Sequence, residues 1–217
     1  MHFQYLIEDQ SSTELIHALM KKVVATHPDV TYDCKGFHGL GGFTKKNTVK
    51  ETKTGKLLND LATYLRGFNK RLQNISAAIV VVLDNDDRDT EKFKHELEDV
   101  ARKNMILMDY IFCIAVEEVE AWLLGDEQAL LSAYPKAKIQ VLRTYVQDSI
   151  CGTWEVLADA VYPGGSQKLH KEHFSFMEIG KLKAEWARNI GIHMNLSANQ
   201  SPSFNYFIGE IEKRLAS

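Results

Sequence analysis

The sequence predicts an α/β fold with a mostly parallel central sheet and a helical C-terminal extension. Strand and helix periods alternate along the first half of the chain, which is the pattern of βαβ units. Two apolar runs, at 77–83 and 110–116, are nearly continuous, as in strands that are covered on both faces. After residue 125 only helical periods remain. We therefore expect an α/β domain over residues 1–125 and a helical extension over residues 126–217 that packs on it.

The elements of the first domain follow in a regular order. Residues 2–8 have the pattern of a strand, and residues 11–27 have that of a helix capped by Ser11 or Ser12. The remaining expected elements are a strand at 29–35, a helix at 56–72, a strand at 77–83, a helix at 88–103 and a strand at 110–116.

The extension is expected to consist of helices with two interruptions. One interruption is "YPGGSQKLHKEHF" at 162–174, and the other is "NLSANQSPSF" at 195–204. Proline is favoured in the first turn of a helix, so Pro202 is expected to begin a last helix that ends near Leu215. Trp122, just before the extension, is expected in the core.

Composition indicates a globular chain. Of its 217 residues, 45% are hydrophobic and 25% are charged, which is enough to form a sizeable core. No apolar stretch approaches the roughly 20 residues of a membrane helix, and the first residues lack the features of a secretory signal. We therefore expect a cytoplasmic protein with no membrane partner.

The net charge of −3 does not favour nucleic-acid binding by the chain as a whole. Such binding would need a metal ion, a partner or a local basic surface. A glycine- and lysine-rich segment at 36–55 is expected to form a loop. Its lysines Lys45, Lys46, Lys50 and Lys53 could contact a nucleic-acid backbone.

Carboxylates follow three of the predicted strands. They are Glu8 after the first strand, Asp84 and Asp86 after the third, and Glu117, Glu118 and Glu120 after the fourth. Parallel strands end at the same edge of a sheet, so these side chains are expected to lie together. On an extended backbone, Asp84 and Asp86 would project to the same side. Like charges so close raise each other's pKa or bind a cation, for which Mg²⁺ or Mn²⁺ is suited.

Some of these carboxylates also have a structural interpretation. Asp87 and Asp89 are placed to begin the helix expected at Arg88, because aspartates cap helices and favour the N-terminal dipole. On a helix, Glu117 and Glu120 would be three residues apart and could be solvated or paired with lysine.

Glu8, Asp84 and Asp86 together resemble the Toprim domain, the metal-binding α/β module of topoisomerases, primases and overcoming-lysogenization-defect nucleases. The whole chain resembles an uncharacterised bacterial Toprim-like family that is often encoded beside an ATPase. The segments that carry this resemblance are "YLIEDQSSTELI" at 5–16, "VVVLDNDD" at 80–87, "AVEEVEAWLLGD" at 115–126, "YPGGSQKL" at 162–169 and "NQSPSFNYFIGEI" at 199–211. One position departs from the Toprim pattern, because Asp9 stands where glycine usually follows the first glutamate.

The resemblance implies a Rossmannoid fold and phosphodiester hydrolysis assisted by Mg²⁺ or Mn²⁺. Glu8 would act as acid and base and contribute to the metal site, and Asp84 and Asp86 would bind the metal. Relatives with two-metal sites use further carboxylates, for which the candidates here are Glu117, Glu118 and Glu120, with Glu118 or Glu120 favoured. The resemblance also implies a nucleic-acid substrate, DNA or RNA, and a role in antiviral defence with a partner ATPase. Lys168, behind a pair of glycines, is a candidate to stabilise charge that develops in the reaction.

Two other functions compete with this interpretation. A haloacid-dehalogenase-like phosphatase also carries an Asp-x-Asp motif after an apolar strand, but Arg88 stands where that family has threonine or valine. The other alternative is a module without catalytic activity that binds a metal or recruits an ATPase.

Overall fold

The computed structural model describes residues 1–43 and 55–216, and within them four strands form one sheet. The strands are β1 (His2–Ile7), β2 (Thr31–Gly36), β3 (Ala77–Asp84) and β4 (Asp109–Ala115). Their order is β2-β1-β3-β4, and every neighbouring pair is parallel. The expected α/β class with a parallel central sheet is therefore confirmed, and the arrangement is Rossmann-like.

Helices connect the strands and continue after the last one. Those between the strands are α1 (Gln10–Thr26), α2 (Leu57–Leu72) and α3 (Thr90–Lys103). Those after β4 are α4 (Glu120–Leu124), α5 (Glu127–Ala133), α6 (Ile139–Thr144), α7 (Thr153–Val161), α8 (Gly165–Lys171), α9 (Phe176–Gly191) and α10 (Pro202–Leu215). The helical nature of the C-terminal part is confirmed, while its separation into a domain of its own at residue 126 stays a prediction.

The sheet is covered on both faces, which explains the continuous apolar sequence of β3. Side chains on successive residues of a strand point to opposite faces. Ala78, Val80 and Val82 belong to one apolar cluster, and Ile79, Val81 and Leu83 belong to the other. The first cluster also contains Ile190 of α9 and Phe207 of α10, so the C-terminal helices pack on that face of the sheet.

Trp122 joins α4 to α10 in the core. It is fully buried, and its ring stacks on Phe207 with 5.2 Å between the ring centroids. Its indole Nε1 donates a hydrogen bond of 2.9 Å to Ser203 Oγ, which satisfies the polar group of this large side chain. The expected core position of Trp122 is confirmed. Since every residue of α4 is buried, Glu120 at its start is held in the interior.

Helix α1 begins earlier than the sequence pattern suggests. The expected caps, Ser11 and Ser12, lie inside the helix, and Asp9 is the N-cap, because its Oδ1 accepts a hydrogen bond of 2.8 Å from Ser12 N. The backbone of Asp9 is extended, with φ −142°, a conformation that any residue adopts. The aspartate found in place of glycine therefore causes no backbone strain here.

The predicted interruption at 162–174 is wrong in its centre, where α8 forms. Gly164 and Gly165 have φ values of 97° and 66°, which favour glycine. A Cβ on Gly165 would lie 2.4 Å from Asp159 Oδ1, the atom that accepts hydrogen bonds from the Ser166 amide and hydroxyl. The helix predicted to begin at Pro202 is confirmed, and it ends at Leu215.

Two sequence expectations concern the surface of the protein. None of the helices in the described ranges has the length and apolar character needed to cross a bilayer. The loop lysines Lys45, Lys46, Lys50 and Lys53 lie outside the described residues.

Candidate functional site

The C-terminal ends of β1, β3 and β4 meet at one edge of the sheet, as the sequence predicts. In the parallel register, Ile7 lies opposite Val82, and Asp84 lies opposite Ala115. Glu8 directly follows β1 and extends the ladder, because its amide donates to Val82 O at 3.1 Å. The carboxylates after these three strands therefore converge on a small region.

Glu8 and Asp84 are in direct contact at this edge. The Asp84 amide donates a hydrogen bond of 2.9 Å to Glu8 Oε2. Both residues are buried, with exposed fractions of 8% for Glu8 and 6% for Asp84. Asp84 Oδ1 is also buried and has no hydrogen-bond partner. An orphaned carboxylate oxygen is costly in a protein interior, so this atom calls for a proton or a cation.

The electrostatics of the pair follow from its burial. Burial raises the pKa of Glu8 to about 7, and the negative charges of Asp9 and Asp86 add to the rise against the opposing hydrogen bond from Asp84. Burial, with the neighbouring Glu8 carboxylate, raises the pKa of Asp84 well above its usual value. Near neutral pH, Glu8 therefore exchanges a proton where an ordinary carboxylate is fully ionised, and the protonated form of Asp84 is favoured as well.

A buried lysine on α9 pairs with the two glutamates at the start of α4. Lys183 Nζ lies 3.2 Å from Glu118 Oε1 and 3.2 Å from Glu120 Oε2. The exposed fraction is 13% for the Lys183 side chain and zero for that of Glu120. Burial alone would lower the pKa of Lys183, but the carboxylates around it, Glu120 and Glu118 first among them, raise it above its ordinary value. The ammonium group therefore stays charged.

The pKa values of the two glutamates show that one ammonium group does not fully compensate them. Burial raises the pKa of Glu120 to about 7 despite the attraction of Lys183. Burial likewise raises the pKa of Glu118. The cluster of Glu8, Asp84, Glu118 and Glu120 around Lys183 is named the acidic cluster below.

Asp86 does not project beside Asp84 as expected. The expectation assumed an extended backbone, but β3 ends at Asp84, and Asp86 has φ 51°. The Asp86 side chain is 55% exposed, and its Oδ2 lies 2.6 Å from Arg88 Nη1. Its charge still contributes to the raised pKa of Glu8. The structure thus places Asp86 near the acidic cluster but pairs it with a surface arginine.

Asn85 causes this change of direction. Its side chain is fully buried, its Nδ2 donates to Arg88 O and to Thr90 Oγ1 at 2.8 Å each, and its Oδ1 accepts from Glu117 N at 2.5 Å. The Asp86 amide in turn donates to Glu117 O at 3.0 Å. Asn85 therefore ties the end of β3 to the residues after β4 and to the start of α3.

Glu117 is a structural residue. It has φ 61° and precedes α4, so its expected position on a helix is wrong. Its carboxylate accepts hydrogen bonds from the amides of Cys151, Gly152 and Thr153 and from the Thr153 hydroxyl. Burial acts to raise the pKa of Glu117, but these hydrogen bonds outweigh it and lower the pKa. Glu117 thus anchors the start of α7.

Asp89 begins α3, as its structural interpretation predicts. Its Oδ1 accepts a hydrogen bond of 2.9 Å from Lys92 N, and the helix starts at Thr90 rather than at Arg88. Asp87 lines a cavity of about 290 Å³ beside the acidic cluster. The full lining is Asp86, Asp87, Glu117, Glu118, Ile150, Gly152, Trp154 and Glu155. With five carboxylates, this cavity repels phosphate groups unless cations neutralise it.

Lys168 and Lys183 have different surroundings. Lys168 Nζ lies 3.8 Å from Glu172 Oε1 and 5.9 Å from the centroid of the Tyr162 ring, and its described contacts do not include the acidic cluster. Sequence reasoning missed Lys183. A signal was available, since Lys183 stands one turn before Ala187 and two turns before Ile190 on the buried stripe of α9. A lysine on such a stripe needs a buried partner.

Glu8 and Asp84 can supply some of the ligands of a divalent ion, but not a complete set. Within residues 1–43 and 55–216, no three Asp, Glu, His or Cys side chains are arranged around one point as a ready-made metal site. Mg²⁺, however, is commonly held by one or two carboxylates, with water and substrate phosphates as its other ligands. Asp84 Oδ1, buried and without a partner, is an oxygen that could serve as such a ligand.

The comparison with known protein families covers nearly all of the chain. Residues 7–212 match a domain of unknown function, DUF4276. Neither a curated protein nor a solved structure matches the chain. The matched range includes every residue of the acidic cluster, together with the helices that surround it. The chain therefore belongs to the DUF4276 family.

Proposed function

We propose that this protein is a divalent-metal-dependent nuclease of Toprim type that hydrolyses phosphodiester bonds in DNA or RNA. One observation carries the proposal. Glu8 and Asp84 touch at the C-terminal edge of a parallel sheet, and Asp84 Oδ1 is buried without a partner. Ligands of open α/β sheets bind at this edge. The Toprim resemblance, in which a glutamate and an aspartate occupy these strand ends, supplies the chemistry.

The chain's own residues would divide the work. Asp84 would be the main ligand of Mg²⁺ or Mn²⁺, with Glu8 beside it. When bound, such an ion neutralises the phosphate and lowers the pKa of coordinated water. Without a bound ion, burial raises the pKa of Glu8 to about 7, so Glu8 can both accept and donate a proton near neutral pH, as an acid and base requires.

The other predicted ligands would need to change partners. Asp86 is paired with Arg88, and Glu118 and Glu120 are paired with Lys183. Asp86 is exposed on the surface, so it can leave Arg88 at little cost. Glu120 is fully buried, and separating it from Lys183 would leave a buried charge without compensation. Asp86 is therefore the better candidate for an additional ligand.

The setting of the proposed reaction rests on the resemblance alone. The family that the chain resembles is often encoded beside an ATPase, and the resemblance to ATPase-linked Toprim proteins implies a role in antiviral defence. We accordingly propose a cytoplasmic nuclease that acts on nucleic acid together with an ATPase partner.

A second candidate function is a module without catalysis that binds a partner ATPase. The observation that favours it is the pairing of Lys183 with Glu118 and Glu120, which supplies a positive charge to the acidic cluster without a metal. In that case the carboxylates would stabilise the fold and no phosphodiester would be cleaved.

An assay of cleavage separates these functions. Supercoiled plasmid and tRNA are incubated with the wild-type protein, Asp84→Ala and Glu8→Gln, each with Mg²⁺, with Mn²⁺ or with EDTA. Metal-dependent cleavage that both substitutions abolish supports the nuclease. Hydrolysis of phosphomonoesters alone would indicate the phosphatase instead. No hydrolysis of either substrate class, with or without a partner ATPase, would leave the binding module.

A further inference from the structure

We propose that Lys183 takes the place of a second metal ion, so that the acidic cluster binds one divalent cation and not two. This inference rests on the proposed function, because it concerns how many ions the metal-dependent site holds. It assigns the single ion to Glu8 and Asp84, and it assigns Glu118 and Glu120 to the lysine.

The position of the ammonium group is the first argument. Lys183 Nζ lies 3.2 Å from an oxygen of Glu118 and 3.2 Å from an oxygen of Glu120, so it bridges the two glutamates that a second ion would need. Magnesium ligands lie about 2.0–2.1 Å from the ion. An ion bound between these glutamates would therefore occupy the space that the Lys183 ammonium group fills.

The lysine is also held in place. Its side chain is 13% exposed, and it projects from α9, which packs along α1 and contributes Trp186 and Ile190 to the core. If Nζ withdrew, Glu120 would remain fully buried with no ion pair, which is strongly unfavourable. Lys183 and Glu120 thus fix each other, and neither is free to rearrange for a metal.

The remaining carboxylates have no such counter-charge. Among the described residues, neither Glu8 nor Asp84 forms an ion pair within 4 Å. Asp84 Oδ1 is buried without a hydrogen-bond partner, and Asp84 lies in the electrostatic range of Lys183 without contacting it. Glu118 Oε2 and both oxygens of Glu120 also lack a hydrogen-bond partner, but these two residues form ion pairs with Lys183. The acidic cluster therefore has one position filled by a cation of its own and one position that still needs a cation.

The number of bound ions tests this inference directly. Mn²⁺ binding to the full chain is titrated at pH 7.5, with free Mn²⁺ followed by electron paramagnetic resonance, for wild type, Lys183→Met, Lys183→Arg and Asp84→Asn. We expect one ion for wild type and for Lys183→Arg, which keeps the positive charge. For Lys183→Met we expect two ions, because Glu118 and Glu120 are then uncompensated. For Asp84→Asn we expect the wild-type ion to be lost.

The outcomes distinguish this inference from the proposed function. Two ions in wild type, or a single ion in a folded Lys183→Met, would overturn the inference and leave the metal-dependent nuclease intact. No bound ion in any of the proteins would overturn both.

A crystal of the wild-type protein soaked in Mn²⁺ keeps the test decisive if Lys183→Met does not fold. One anomalous peak beside Asp84, with Nζ still between the glutamates, supports the inference. A peak between Glu118 and Glu120 contradicts it.

Discussion

The amide of Asp84 donates a hydrogen bond of 2.9 Å to the carboxylate of Glu8, which joins the ends of β3 and β1. The contact fixes one oxygen of Glu8 and leaves Asp84 Oδ1 buried and unpartnered. A backbone amide thus orients the glutamate, while the aspartate keeps an oxygen for a ligand. This division of roles determines what substitutions at the two positions should do.

Replacement of Glu8 by glutamine should remove activity while preserving the fold. Glutamine keeps an oxygen that can accept the hydrogen bond from the Asp84 amide, but its side chain cannot act as an acid or a base. We expect the rate of cleavage to fall by about 10²–10⁴-fold, the usual contribution of acid–base catalysis. The melting temperature should be close to that of wild type at pH 5 and no lower near pH 7, because glutamine does not ionise. Glu8→Ala is the contrasting variant, because it leaves the Asp84 amide unsatisfied and should cost about 1–3 kcal/mol of stability. Equal loss of stability in the two variants would contradict this view of the contact.

Stability should fall as pH rises from about 5 to 7. Glu8 and Glu120 have folded-state pKa values of about 7 against the usual 4.5, so the folded protein binds protons more tightly than the unfolded chain in this range. Each pKa unit corresponds to about 1.4 kcal/mol per group, so the two groups together give a loss of up to about 7 kcal/mol. The loss levels off only above the folded-state pKa values, by about pH 8. Urea unfolding at pH 5, 6, 7 and 8 measures it, and Glu8→Gln should make the dependence shallower. A free energy of unfolding that rises with pH over this interval would refute the prediction.

Divalent metal should stabilise the protein through Asp84. An ion that binds only the folded state adds about 2.7 kcal/mol when its concentration is 100 times its dissociation constant. We therefore expect Mg²⁺ or Mn²⁺ to raise the melting temperature of wild type and EDTA to reverse the effect. Asp84→Asn has nearly the same shape but no charge, and its melting temperature should not respond. A similar response in both proteins would place the ion elsewhere.

The sheet edge could be predicted from sequence because its rule is general. Any parallel sheet brings its strand ends together, so finding Glu8 and Asp84 after apolar strands was enough to predict that they meet. The position of Asp86 could not be obtained in this way. It depends on the left-handed backbone after β3 and on hydrogen bonds that Asn85 makes to a segment more than 30 residues away in sequence. Local alternation does not encode such a turn.

Lys183 was missed for a different reason. Lys183 contacts its partners, Glu118 and Glu120, only because α9 packs beside the sheet edge. Contacts between helices that lie so far apart in the sequence produce no local sequence motif. Lys168 followed a conspicuous pair of glycines, but those glycines serve the start of α8. A polar residue on a buried helical stripe was the better indicator of the site than a charged residue in a glycine-rich segment.

Substitution of Asn85 by alanine should loosen the site without removing any of its carboxylates. The change leaves the Glu117 amide without its acceptor and removes two hydrogen bonds to the start of α3. A buried unsatisfied amide costs about 1–3 kcal/mol, so we expect a loss of stability of at least that size. We also expect weaker Mn²⁺ binding, because the chain after Asp84 is no longer held.

Asn104→Ala is a suitable control, since Asn104 makes a single side-chain hydrogen bond at the end of α3. An effect on Mn²⁺ affinity as large in the control would show that Asn85 does not organise the site.

The close approach of α9 to α1 should make Gly191 intolerant of even one methyl group. A Cβ at this position would lie 2.9 Å from Ala18 Cβ and 3.1 Å from Leu15 Cδ1, so the helices would have to separate. Overpacking of this kind typically costs about 1–3 kcal/mol. Gly180 is a matched control on the same helix, because nothing lies within 4 Å of its added Cβ. Gly180→Ala should be neutral or should stabilise by up to about 1 kcal/mol through helix propensity. Urea unfolding of the two variants measures the difference. The same free energy of unfolding for both variants would show that the helices do not need a glycine where they meet. Since α9 carries Lys183, we also expect Gly191→Ala to alter Mn²⁺ binding at the acidic cluster, and we expect Gly180→Ala to leave it unchanged.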